Sequence, residues 1–106
     1  MKLLKSSLVL PAVVLAVTAC NKPPITTDLP QTEAVQQGQV LYMEYCQKCH
    51  PDGEAGLGPS VYYVPDFAKR FQVRHGVGAM PEFDETEVSD EELDKIIAYL
   101  RALGRE

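Results

Sequence analysis

Tryptophan is absent from this 106-residue chain, and only two histidines and three cysteines occur in it. Those scarcities exclude several chemistries. A zinc site needs a second pair of Cys or His ligands at short spacing. Outside the run from Cys46 to His50 the chain offers only Cys20 and His75. Basic residues are outnumbered, ten Lys and Arg against fifteen Asp and Glu, for a formal charge of −5. That balance argues against nucleic acid and for basic partners or steered docking. The one long apolar run, Leu8 to Val17, is too short for a membrane span. Gly53 to Gly58 has no following Lys-Ser/Thr and no preceding strand, so it does not read as a phosphate-cradling loop. No internal repeat, long strand or βαβ pattern is evident.

What the chain does have is Cys46-Gln47-Lys48-Cys49-His50. Two thiols at i and i+3 share one face of a helix. There they can add to the two vinyl groups on one edge of a porphyrin. The imidazole next in the chain is placed beneath the iron as proximal ligand. Cys-x-x-Cys-His is the spacing of covalent haem attachment. A thioredoxin-like redox pair would want a preceding strand and a βαβ context, whereas residues 34–45 read as a helix. A disulfide between Cys46 and Cys49 would close a very short, strained loop. Cys46, Cys49 and His50 are therefore expected to hold one haem c.

Residues 1–19 read as a secretory signal: Lys2 and Lys5, the apolar run, then Thr18 and Ala19. Val17-Thr18-Ala19-Cys20 also resembles a bacterial lipobox, which makes Cys20 the expected lipidated first residue. The cysteine count agrees, because three is odd for an exported protein. Two thiols go to haem and one to lipid. Removing Lys2 and Lys5 leaves a mature chain more acidic than −5. Residues 20–33 then form a lipidated Cys and a Pro-rich tether, with Pro23, Pro24 and Pro30. Where polyproline-like it would hold the following domain up to roughly 40 Å from the bilayer.

Residues 34–106 form the single small domain. A helix is expected from Glu33 to Lys48, with Val35, Gly38, Leu41, Tyr42 and Tyr45 at helical spacing. A shorter helix starts near Pro65 and carries Phe67, Ala68, Phe71 and Val73. The last is marked by a Ser89/Glu92 capping box, with Val88 and Leu93 as its hydrophobic staple. Leu93, Ile96, Ile97 and Leu100 form its buried stripe, and Gly104 its stop. A core this small needs a staple; here the haem supplies it, and the apoprotein should be poorly folded.

The iron's sixth ligand has three candidates. Met43 lies three residues before Cys46 on the proximal side and reads as packing. His75 sits beside Arg74. Met80 lies thirty residues after His50, in Gly76-Val77-Gly78-Ala79-Met80-Pro81. Glycines there let the chain turn close to the porphyrin, and Pro81 stiffens the segment after the ligand. A thioether favours ferrous iron and raises the potential. Met80 is the expected ligand.

Gly38, Tyr42 and Cys46, together with Ile96-Ile97-Ala98-Tyr99-Leu100, resemble the terminal helices of the small class I cytochromes c. The resemblance covers nearly all of the mature domain. It implies an all-α small cytochrome c fold, in which the N- and C-terminal helices cross around one covalently attached haem, with Gly38 against Tyr99. Gly56-Leu57-Gly58-Pro59 resembles the loop after the haem-binding helix, and implies that the Pro59 carbonyl accepts a hydrogen bond from His50. Without tryptophan, the usual indole contact to a haem propionate must come from Tyr62, Tyr63 or Arg70. Val73 to Phe83 is similar to cytochromes that serve periplasmic dehydrogenases, the cresol-oxidising flavocytochromes among them.

The resemblance implies a periplasmic electron carrier, with no catalytic residue and no small-molecule substrate. Its partners are expected to be redox proteins (a dehydrogenase, an oxidase or another cytochrome) and, through Cys20, the inner or outer membrane. A fixed cytochrome subunit of a periplasmic dehydrogenase or membrane oxidoreductase is the alternative. A haem sensor or small peroxidase would require an open or displaceable sixth site. Glu82, Asp84, Glu85, Glu87, Asp90, Glu91, Glu92 and Asp94 cap a helix or steer a basic partner.

Overall fold

Residues 29–104 are described by a computed structural model. The expected signal peptide, Cys20 and most of the expected tether lie outside the described residues. Three α-helices follow one another: α1 (Glu33–Tyr45), α2 (Asp66–His75) and α3 (Asp90–Ala102). A short 3-10 turn, Pro51–Gly53, lies between α1 and α2. The fold is all-α. Among the described residues the sole β contact is an isolated bridge between Val77 and Met80.

Helices α1 and α3 begin at side-chain caps. The Thr32 hydroxyl accepts from the Val35 N–H at 3.3 Å, which caps α1. Ser89 and Glu92 cap α3 reciprocally, both bonds at 3.1 Å. Helix α1 stops at Tyr45 rather than Lys48, so Cys46 to Cys49 occupy turns beyond its end. Pro51 pushes the residue before it, His50, out of helical geometry, so no helix runs on through the turn. His50 accordingly has φ −127° and ψ 70°. The two cysteines remain one turn apart, with the Cys49 N–H donating to the Cys46 carbonyl at 3.2 Å.

The core is the α1/α3 pair. Val35 and Tyr42 of α1 pack with Leu93, Ile96, Ile97, Tyr99 and Leu100 of α3, and Val88 closes one end. Leu29 is buried with them. Leu29, ahead of residue 34, thus packs in the core. Gly38 lies where the helices touch: a Cβ there would stand 1.9 Å from the Lys95 carbonyl oxygen and 3.1 Å from the Tyr99 Cβ. Tyr42 and Tyr99 stack in a tilted pair, with ring centroids 5.3 Å apart.

Helix α2 is rotated by its charges. Arg70 pairs with Asp94 at 2.6 Å and Arg74 with Asp90 at 2.7 Å. Arg74 also donates to the carbonyls of Phe83 (3.0 Å) and Val88 (2.6 Å). These bonds tie α2 to α3 and to the loop between them. With the arginines so engaged, Ala68, Lys69, Gln72 and Val73 face a cavity, while Phe67 and Phe71 stay 76% and 60% exposed. Two of the four apolar residues expected on this helix therefore point to solvent.

Candidate haem site

The three elements enclose a cavity of about 460 Å³, within the range of small-ligand and cofactor pockets, about 300–1,000 Å³. Its wall draws Cys46 and His50 from the turn after α1, Gly58 to Val61 from the following loop, Met80 from the loop after α2, and Ile96, Ile97 and Leu100 from α3. Most of the wall is apolar. Four expected site residues, Cys46, His50, Pro59 and Met80, thus meet in one space. Cys49 is not part of the wall but is partly exposed one turn from Cys46. His75 is not part of it either: its ring stacks on Phe71 at 4.2 Å. Met43 packs against the core, as expected.

The His50 ring is held in a definite tautomer. Its Nδ1 lies 2.7 Å from the Pro59 carbonyl oxygen. A carbonyl only accepts, so Nδ1 carries the proton and Nε2 keeps its lone pair for a metal. Gly58 makes the approach possible, because a Cβ there would lie 2.4 Å from the ring Cε1. The backbone of His50 is held as well. The Tyr42 hydroxyl donates to the His50 carbonyl and accepts from the Gly53 N–H at 3.1 Å. Burial, then the neighbouring Cys46, pushes that hydroxyl above its ordinary pKa, so it remains a donor. Gln47 and buried Asp52 pair reciprocally: the Asp52 N–H donates to Gln47 Oε1 at 2.9 Å, and Gln47 Nε2 to Asp52 Oδ1 at 3.2 Å. This pairing fixes Asp52 at φ 54°, a left-handed turn that Asp tolerates.

Cys46 is not poised as an attacking redox thiol. Burial, and then Cys49, pushes its thiol up to about 12. A redox-active pair needs the thiolate, and so a lowered value. Among the described residues, no three His, Cys, Asp or Glu side chains gather into a metal cluster. The donor set suits a porphyrin: two unpaired thiols, an imidazole with a free Nε2, a thioether and an apolar wall.

Sequence reasoning missed several residues here. The Tyr42 hydroxyl was hidden because Tyr42 reads as core packing. Asp52-Gly53 is a turn signal that could have flagged the loop clamp. Of the expected propionate partners, Tyr63 is 90% exposed and Arg70 is paired with Asp94. The cation in the cavity wall is Lys69.

A helical domain with a Cys-x-x-Cys-His turn opening on an apolar cavity is a haem-binding electron-transfer module. Residues 33–100 match the family model for cytochrome c oxidase, cbb3-type, subunit III, and the chain belongs to this cytochrome c family. Its cofactor is covalently bound haem c, and its role is haem electron transfer. It is also 37% identical over 68 residues to the cytochrome c subunit of 4-cresol dehydrogenase [hydroxylating] from Pseudomonas putida, a match covering 62% of this chain and 59% of that protein.

Proposed function

We propose that this chain is an exported, lipid-tethered monohaem cytochrome that passes single electrons between redox proteins on the periplasmic side of a bacterial membrane. Cys46 and Cys49 would carry the two thioether bonds, His50 and Met80 the iron, and Cys20 the lipid. The observation that carries the reading is the meeting of Cys46, His50 and Met80 in one apolar cavity. When bound, the haem iron supplies the one-electron ferrous/ferric chemistry. The chain supplies the rest. The Pro59 carbonyl fixes the His50 ring and its tautomer. Met80 offers a soft thioether, and the apolar wall excludes water.

A second reading has its own support. The relative is the cytochrome subunit of a dehydrogenase, so this chain would be the fixed electron acceptor of a similar complex. Stoichiometric co-purification with a dehydrogenase favours that reading; isolation alone favours the carrier.

The mass of the intact exported protein tests the proposal. It should show loss of residues 1–19, acyl chains on Cys20 and one haem, with the haem lost when Cys46 and Cys49 are both serine. A chain without haem would overturn the reading.

Steering can be narrowed. Asp90 and Asp94 are already paired with arginines. The Thr86 hydroxyl, then the Glu87 and Thr86 N–H groups, hold the Asp84 carboxyl below its ordinary range. It is therefore charged at neutral pH. Reversing Glu82, Asp84 and Glu85 to lysine should slow electron transfer to a basic partner at least tenfold at low ionic strength and barely at high. Equal rates in stopped-flow mixing at low salt would remove these residues from docking.

A further inference from the structure

We propose that the outer face of α2 binds a second copy of this chain, the two helices packing antiparallel about a two-fold axis at Phe71. Phe67, Phe71 and His75 stand four residues apart, so their side chains form one stripe along the helix. Phe67 is 76% and Phe71 60% exposed, and His75 is exposed as well. The stripe takes two of the chain's three phenylalanines to the surface. His75 extends it with a third ring, stacked on Phe71 at 4.2 Å between centroids. Single exposed apolar residues are ordinary, whereas a continuous row of rings marks a contact surface.

Charge selects the occupant. Eight acidic residues and no lysine or arginine fall between Glu82 and Asp94, so two copies of this chain repel along that side. Helix α2 is the exception, with Lys69, Arg70 and Arg74 against Asp66, and copies can approach there. A basic partner would be drawn to the acidic segment instead. A bilayer would need arginines for its phosphates, but Arg70 is held by Asp94 and Arg74 by Asp90. The ends of α2 also differ in sign: Asp66 lies in the first turn, Arg74 and His75 in the last. A parallel pair would set like ends together. An antiparallel pair sets the acidic end of each copy beside the basic end of the other and opposes the two helix dipoles. It is also self-complementary, with Phe67 meeting His75 of the second copy and Phe71 meeting Phe71.

Size sets the strength. With rings of about 200 Å² each, the two phenylalanines leave on the order of 270 Å² of apolar surface per copy. A stable interface takes about 800 Å² from each partner, so the stripe suits a weak, exchanging pair and not a permanent subunit. The inner face of α2 supplies Ala68, Gln72 and Val73 to the cavity wall. Pairing the outer faces therefore sets two cavities back to back across two helices. On the haem reading above, on which this last step alone rests, the pair passes electrons from one copy to the next.

The full-length wild-type holoprotein should show a concentration-dependent monomer–dimer equilibrium by sedimentation in density-matched detergent. Phe67→Lys and Phe71→Lys should each raise the dimer dissociation constant at least tenfold with haem absorbance unchanged. Val40→Lys, at an exposed apolar position of α1, should leave it unaltered. Phe71→Cys should form a disulfide between copies under mild oxidation in the membrane, and Val40→Cys should not. Protein that stays monomeric at every concentration would overturn the proposal, even where the phenylalanines prove to bind vesicles or a dehydrogenase. So would a dimer that Val40→Lys weakens as much as Phe67→Lys does, or one in which Phe71→Cys forms no cross-link. A dimer carrying no haem would instead overturn the electron-transfer reading and keep the pairing.

Discussion

Gly38→Ala should abolish the folded haem protein. Replacing an exposed helical glycine with alanine ordinarily gains up to about 1 kcal/mol. Here the added Cβ would lie 1.9 Å from the Lys95 carbonyl oxygen and 2.5 Å from its carbon. Those are backbone atoms of α3, so no rotamer change relieves the contact. Either α1 and α3 separate or one of them deforms. Ordinary overpacking in a core costs about 1–3 kcal/mol, because side chains shift. Separation here strips contacts from Tyr42, Tyr99, Ile96 and Ile97, which are all but inaccessible to solvent. A domain this small has a stability near the low end of about 5–15 kcal/mol. The loss should consume most of it. Urea titration of exported protein should show no cooperative transition, and covalent haem incorporation should fall sharply. A urea midpoint close to wild type would show that the helix pair tolerates separation, and that α1 against α3 is not what holds the fold.

The same helix pair shows which parts of the molecule its sequence made legible. The apolar stripe of α3 and the Ser89/Glu92 box are local patterns with local causes, and they stand where periodicity and capping chemistry put them, whereas Gly38 against Tyr99 was an expectation from the family resemblance alone. The haem-binding turn was legible for a stricter reason: covalent attachment demands neighbouring residues in fixed order. Helix α2 was legible in position but not in rotation. Phe67 and Phe71 look like its inner face by composition. The salt bridges of Arg70 and Arg74 turn them outward, and both partners, Asp94 and Asp90, lie on or beside a helix far along the chain. Non-local pairing leaves no periodic trace. The same rotation carries Lys69 inward. Leu29 joins the core from a stretch whose composition reads otherwise. The prolines around it read as tether, while one leucine reaches the core.

Replacing Met80, the proposed sixth ligand, with alanine should open the sixth site. The loop that carries Met80 is closed at both ends. Gly76 stops α2 at φ 64°, and the Phe83 N–H returns to the Val73 carbonyl at 2.8 Å. Between them the Met80 N–H donates to the Val77 carbonyl at 3.0 Å, and Arg74 clamps Phe83 from below. Backbone bonds rather than the Met80 side chain therefore shape the loop, so the variant should keep its fold. Its stability cost should fall at the low end of the roughly 2–5 kcal/mol typical of Met→Ala in a core. The spectroscopic effect should be total. The weak far-red band of ferric iron bound to a thioether should vanish. The midpoint potential should drop, because the thioether proposed to favour ferrous iron is gone, and the ferrous protein should bind carbon monoxide rapidly where the wild type does not. His75 is the natural substitute, but its ring lies against Phe71 on the outer side of α2 and reaches the cavity only if the helix end unwinds. A double variant, Met80→Ala with His75→Ala, should therefore match the single variant in spectrum and potential. Should the far-red band survive Met80→Ala, another side chain holds the iron and the His50/Met80 pair is wrong. Should the single variant instead show low-spin bis-imidazole features that the double variant loses, α2 yields at its C-terminal turn, and the loop is a switch rather than a fixed clamp.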